Sequence, residues 1–488
     1  MPWLEMHHVG APLVASAGEH APCGHWPILR GRGRGDTGAL PAASHDVPKG
    51  YATEPVHRPH SDEARSQLLA AVALESDAMV ALLRDLVRIP SIGGSEHEVT
   101  IQHVLARRFE SDGLETQVWP LPLETLRVEA EFPGVEVERR EAWGLVGRLA
   151  GRGGGRSLMF NAHVDVVPPG DLAAWSDDPF GGEIDSGRLY GRGACDMKGG
   201  LVAACWAVRA LRRSGLRLNG DVLLACVVGE EDGGLGSYGL LRRGWRADAC
   251  VIPEPTSLDL VPATAGALTF RLRVRGQATH ASRRTEGVSA LECFWPVWRA
   301  LQELERARNA EVDPLMRRWQ LPYALSIGTI RCGDWASSVP DLLIAEGRLG
   351  VALDESIDAA RSAFEAVVAE AGRADPWLRE HPVDVEWRGC QFASGRLPAA
   401  SDLLERVRDA HVLAAGALAE APAVWGAPYG SDLRLLSGLG GIPTLHYGPG
   451  DAGLAHGPDE SVPLDEVRTA ARTLALLALD HAGPAQRA

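Results

Sequence analysis

Residues 221–231, Asp-Val-Leu-Leu-Ala-Cys-Val-Val-Gly-Glu-Glu, place a short unbroken apolar run directly before a glycine and two carboxylates. A run of this length and texture predicts a buried strand ending at Gly229. Two adjacent carboxylates at the end of a buried strand repel each other, so one of them needs a cation or a proton. A metal ligand beside a general base resolves that conflict. The same texture recurs at 158–162, 249–252 and 444–447, separated by helical patterns such as 201–212. This alternation predicts an α/β sheet covered by helices. Ligands of open α/β sheets sit beyond the carboxyl ends of strands, and His163, Glu230, Glu231 and Glu254 all fall there.

Outward from this centre the texture changes twice. Residues 1–60 are rich in Gly, Pro and Ala, lack a sustained hydrophobic period and read as a flexible tail. From Ser61 a helical pattern over 68–89 is expected to run as one helix until Pro90, and 96–109 reads as a second helix. Residues 266–390 follow the order strand (269–274), helix (288–308), strand (324–330), strand (342–351), helix (357–371), strand (383–387). That βαββαβ order predicts an inserted split-βαβ domain. The sheet domain is then discontinuous, 61–265 and 391–482, with hinges near 265 and 390.

Composition narrows the function. With 64 acidic against 49 basic residues the net charge is -15, which disfavours nucleic-acid binding. Eight cysteines without a C-x-x-C pair indicate neither a structural zinc module nor a disulfide framework, and a reducing cytoplasm is expected. No apolar run reaches the length of a membrane span, so no membrane association is expected.

Four further motifs join Glu230-Glu231. His163-Val164-Asp165 closes a strand, and alternation lets Asp165 hold the imidazole in one tautomer while its other nitrogen binds a metal. Residues 191–200, GRGACDMKGG, run into a helix; Asp196 there can give one oxygen to each of two cations, and the spacing also permits it to N-cap the helix. Pro253-Glu254-Pro255-Thr256 follows another short strand, and Ala455-His456-Gly457-Pro458-Asp459-Glu460 lies near the C-terminus. Two His and three carboxylates without a thiolate suit two zinc ions, with cobalt or manganese as substitutes.

These motifs, with HVDVVPPG (163–170), WSDDPFGGEIDSGRLYGRGACDMKGG (175–200), GQATHAS (276–282), SSVPD (337–341) and GSDLR (430–434), resemble in order the M20 metallopeptidase family, the group of acetylornithine deacetylase, succinyl-diaminopimelate desuccinylase, aminoacylase and carboxypeptidase G2. The resemblance implies a zinc-exopeptidase-like mixed-sheet catalytic domain with an inserted ferredoxin-like lid and dimerisation domain. It implies that His163, Asp196 and Glu254 hold one zinc, that Asp196, Glu231 and His456 hold the other, and that Glu230 is the general base. It further implies that Asp165 orients His163, that the peptide bond after Asp196 is cis, and that His280 reaches a partner subunit's active site to stabilise an oxyanion. Arg434 and Asp432 resemble a substrate-side loop, Arg434 as a bidentate partner for a carboxylate. Ser338 departs from the Asn common before Val-Pro in this family. The expected function is removal of an N-acyl group from a small N-acyl amino acid, in the manner of acetylornithine deacetylase. An exopeptidase acting on dipeptides or a C-terminal residue, and a catalytically silent binding protein, are the alternatives.

Overall fold

The computed structural model describes residues 61–74, 76–416 and 420–483; the tail expected over 1–60 lies outside them. Among the described residues, the first of three sheets has nine strands. Its order is Glu115–Pro120, Trp143–Leu149, Val222–Val227, Leu158–His163, Ala249–Ile252, Thr444–His446, Leu260–Thr264 and Gly395–Arg396, with Val424–Ala427 paired to Leu260–Thr264. The strands at 222, 158, 249 and 444 are mutually parallel, whereas the other pairs are antiparallel except that of Val424–Ala427 with Leu260–Thr264, which is parallel. Every residue of 158–163 and 222–227 is buried, as expected for central strands covered on both faces.

Parallel direction has a direct consequence for function. The four central strands end on one edge, so His163, Glu230, Glu231, Glu254 and the chain leading to His456 leave the sheet on the same side. The helix Gly199–Ser214 packs across this sheet and starts against that edge. Its second residue must be glycine: a Cβ on Gly200 would lie 1.8 Å from the Pro253 carbonyl oxygen, which no rotamer relieves. The glycine pair after Asp196 thereby lets the helix N-terminus approach the backbone that carries Glu254.

The helical run expected over 68–89 is two helices, Asp62–Ala73 and Ser76–Val87, and the second stops three residues before Pro90. Leu74 caps the first in an extended conformation, and Ser76 and Asp77 open the second, polar starters that favour a new N-terminus. The apolar spacing continues across the break because both helices face the same core, with Leu68, Val72, Met79, Leu83 and Leu86 buried in it.

Residues 266–392 form a second sheet of four strands, in the order Leu325–Cys332, Leu342–Val351, Gly266–Arg275 and Asp384–Phe392. All its pairs are antiparallel, and helices Ala290–Arg308 and Ile357–Ala374 cover one face. Strand 266–275 shows the alternation this requires: Leu268, Phe270, Leu272 and Val274 are fully buried while the intervening residues are half-buried. This sheet and its helices enclose a core of their own. No single helix among the described residues is long and apolar enough to cross a membrane, and the seven described cysteines are free thiols.

Candidate metal centre

His163 is the last residue of its strand and lies in a fully buried environment. Its Nδ1 lies 2.9 Å from the backbone carbonyl of Asp165, and its Nε2 lies 3.0 Å from Asp196 Oδ1 and 3.9 Å from Glu254 Oε1. A proton on Nδ1, donated to the carbonyl, leaves the Nε2 lone pair facing the carboxylates, the tautomer a metal requires. The other Asp196 oxygen, Oδ2, is 3.6 Å from His456 Nε2, which is 3.0 Å from Glu231 Oε2. One carboxylate therefore faces two imidazoles, one on each side. Ligand atoms of His163, Asp196 and Glu231 all lie within 4.8 Å of one another.

The cluster concentrates negative charge in a buried place. Burial raises the pKa of Glu254 well above the carboxylate range, and the charge of Asp196 adds to it. Glu231 is raised for the same two reasons. Burial opposes the charge on Asp196, yet hydrogen bonds from His163 and His456 overcome it and hold that carboxyl below its usual range. His456 is pushed up to about 11 by its hydrogen bonds to Asp196 and Glu231. Burial and crowded negative charge act together on Glu254 and Glu231, while Asp196 and His456 are held charged by their mutual hydrogen bonds. Divalent cations between the two imidazoles would offset this negative charge, and the N/O donor set without sulfur suits them.

Asp165 meets the His163 ring through its backbone carbonyl and not through its carboxylate. Its carboxylate is 3.7 Å from His163 Nδ1, too long for a hydrogen bond, and instead accepts the backbone N–H groups of Glu230 (3.3 Å) and Glu231 (3.1 Å). Asp165 thus holds the imidazole with its carbonyl and the Glu-Glu turn with its side chain. That turn is fixed at both ends as well. Glu98 accepts the Gly229 N–H at 3.1 Å, and the buried Arg139 clamps Glu98 (2.8 and 3.0 Å) together with Asp232 (2.8 Å). Glu230 is buried next to the ligands and accepts the Asp432 N–H at 3.2 Å; burial first, then Asp432 and Glu254, raise its pKa well above the ordinary range. A carboxyl with raised proton affinity has the property a general base needs.

A second support was not singled out from the sequence. Glu460, entirely buried, accepts the N–H groups of Cys195 (2.9 Å) and Asp196 (3.0 Å) with one oxygen and Arg192 Nη1 (2.6 Å) with the other. Arg192 Nη2 in turn donates to the His456 carbonyl at 3.1 Å. The pair therefore sets the backbone of both Asp196 and His456. The Asp196–Met197 peptide is cis, and Asp196 does not cap the following helix, whose N-cap is Lys198. Both Glu460 and Arg192 lie inside the motif strings 455–460 and 191–200, and that membership was the available signal.

Of the other expected site residues, Asp432 touches Glu230 through its N–H, whereas no described hydrogen bond joins Arg434 or His280 to the cluster. Asp432 and Arg434 are buried, at 1% and 6% exposure. Arg434 donates to the Gly233 carbonyl at 2.9 Å through Nη2 and stacks over Phe392. His280 is exposed in the second sheet's loop, where Nδ1 meets Ser282 Oγ at 2.7 Å and Ser338 is its bridge partner. Its described contacts are with that loop, not with the cluster.

A mixed sheet whose parallel strands deliver imidazoles and carboxylates to one edge defines a hydrolase of the amide-bond class. The chain belongs to Peptidase family M20/M25/M40, matched over residues 159–480. It is 26% identical over 435 residues to the N-formyl-4-amino-5-aminomethyl-2-methylpyrimidine deformylase of Halalkalibacterium halodurans, covering 84% of this chain and 95% of that one. It is 34% identical over 274 residues to the succinyl-diaminopimelate desuccinylase of Rhodospirillum centenum, covering 53% and 64%. The fold resembles the M20 family metallo-carboxypeptidase Sso-CP2 of Sulfolobus solfataricus with a TM-score of 0.65 at 16% identity, over 83% of this chain and 99% of that one.

Proposed function

We propose that this protein is a two-zinc deacylase that hydrolyses the amide of a small N-acylated amine. The observation that carries the reading is the convergence of His163, Asp196, Glu231, Glu254 and His456 at one sheet edge, with the proton-avid Glu230 beside them. His163, Asp196 and Glu254 hold one cation; Asp196, Glu231 and His456 hold the other. When bound, such a pair lowers the pKa of water and polarises a carbonyl. Glu230 takes the proton of the attacking water and returns it to the leaving amine. The Asp165, Glu98 and Arg139 contacts keep its turn fixed during both transfers, and Glu460 does the same for the bridging carboxylate. The deformylase likeness across nearly the whole length of that relative favours a small acyl group. The relatives named above are deformylase and desuccinylase, so the narrower acetylornithine-type reading has no support from them.

Residues 266–390 act in this proposal as a lid and dimerisation domain hinged near 265 and 390. An exposed apolar face supports it: Trp295 (54%) and Ile330 (51%) stand on the helix 290–308 and the edge strand 325–332, where a second copy could pair. His280, whose Nδ1 accepts from the Ser282 N–H, then presents its other nitrogen as a donor towards the partner's substrate. The test is a panel of N-formyl, N-acetyl and N-succinyl amino acids beside dipeptides, with zinc- and cobalt-loaded enzyme. Turnover of N-acyl substrates with Glu230→Gln inactive at unchanged metal content supports the reading. Preference for dipeptides replaces it with an exopeptidase, and an active Glu230→Gln removes that residue from the mechanism.

A further inference from the structure

The loop 427–432 joins the sheet to the Glu230 turn and is pinned along its length. Ala427 O accepts the Ala265 N–H (2.8 Å), and Pro428 O accepts Arg348 Nη2 (3.3 Å) from the second sheet. Ser431 Oγ meets His446 Nε2 (2.9 Å), and the Asp432 N–H reaches Glu230 Oε1 (3.2 Å). Gly430 is required for this path, because a Cβ there would sit 2.5 Å from Phe392. Tyr429 lies between these anchors, three residues from the amide that touches the general base. Its ring packs on the Val261, Trp425 and Ala427 cluster.

The phenol oxygen of Tyr429 is shielded from solvent and has no hydrogen-bond partner in the protein. Buried hydroxyls are nearly always satisfied, so an orphan at this place calls for a partner that arrives later. Burial, and then the charges of Glu254, Asp196 and Glu230, raise this phenol's pKa well above its ordinary value. A phenol is an O–H donor, and this one is free to donate to whatever acceptor enters.

We propose that the Tyr429 hydroxyl donates a hydrogen bond to the acyl oxygen of the substrate as that oxygen becomes an oxyanion. This rests on the amide-hydrolase reading of the site and adds a donor from the same chain as the metal ligands. Arg348, reaching from strand 342–351 to Pro428, is a positioning residue: it ties the placement of the hydroxyl to the placement of the second sheet.

Tyr429→Phe keeps the packed ring and removes only the oxygen. The full-length zinc-loaded variant is compared with wild type for zinc content, thermal stability, kinetics on the substrate panel, and calorimetric affinity for inorganic phosphate, a tetrahedral oxyanion. The expected result is unchanged zinc content and stability, a kcat lower by about 10²-fold with little change in KM, and phosphate bound about tenfold more weakly. Unchanged kcat and phosphate affinity overturn the proposal, and so does a loss of kcat that follows loss of zinc. If wild type prefers dipeptides, the deacylase reading fails while the kcat ratio on the dipeptide still decides the role of Tyr429. If wild type turns over nothing in the panel, the phosphate affinity ratio decides it alone.

Discussion

Replacing Glu460 by Gln should damage both the stability of the protein and its hold on metal. The carboxylate is wholly buried and all three of its partners are donors: Cys195 N–H, Asp196 N–H and Arg192 Nη1. A glutamine offers one acceptor and one amino group, so either amide orientation turns N–H groups against a donor. Breaking a buried ion pair from one side costs about 3–5 kcal/mol, because the remaining charge is left uncompensated. The hydrogen bond that the amide oxygen still makes returns about 1 kcal/mol, leaving a net loss of about 2–4 kcal/mol. The same contacts fix Asp196 N and, through Arg192, the His456 carbonyl. Zinc affinity should therefore fall by roughly 10- to 100-fold although Glu460 touches no metal. Urea unfolding in the presence of chelator reads the first effect as a lower midpoint at constant slope, and chelator competition reads the second. A midpoint within error of wild type together with unchanged zinc affinity would refute the reasoning.

Asp165→Asn separates two roles. The His163 tautomer, held by a backbone carbonyl, should persist in imidazole NMR spectra, whereas zinc affinity and kcat should fall about tenfold or more as the Glu230-Glu231 turn loses its charged acceptor; a shifted tautomer with an intact turn would contradict this. Acid should destabilise the fold through His481, which is buried with both ring nitrogens unpartnered and a pKa pushed down to about 3 by burial. Below pH 6.5 the unfolded chain binds a proton that the folded chain refuses, so stability falls as pH drops towards 3, by about 1.4 kcal/mol per unit. His481→Met should flatten urea-midpoint curves between pH 6.5 and 5 relative to wild type; parallel curves would remove His481 from the account.

What could be read from the sequence follows from what is local. The strands 222–227 and 249–252 are short, uninterrupted apolar runs, and 158–163 is apolar but for Asn161 and the terminal His163; burial on both faces is what produces such runs. Because those strands are parallel, residues just past their ends share an edge, which made His163, Glu231 and Glu254 legible as a group. The supports were not legible, since they pair residues far apart in the chain. Arg192 meets Glu460 across 268 positions, and Arg139 meets Glu98 and Asp232 from a loop with no motif of its own. Spacing put Asp165 beside His163, but it shows only which face a side chain takes and not which of two acceptors, carbonyl or carboxylate, lies nearer the ring. The burial of Arg434 was hidden for a related reason: a charged residue in a motif loop reads as exposed until the Phe392 ring and the Gly233 carbonyl are seen to engage it.

The most direct test is the metal stoichiometry of the purified chain and of its Asp196→Ala variant, measured by equilibrium dialysis against zinc. The account predicts two ions per chain in the wild type and loss of tight binding at both positions in the variant, since Asp196 faces both imidazoles. A wild-type chain that takes up no more than one ion, or a variant that keeps two, would contradict it.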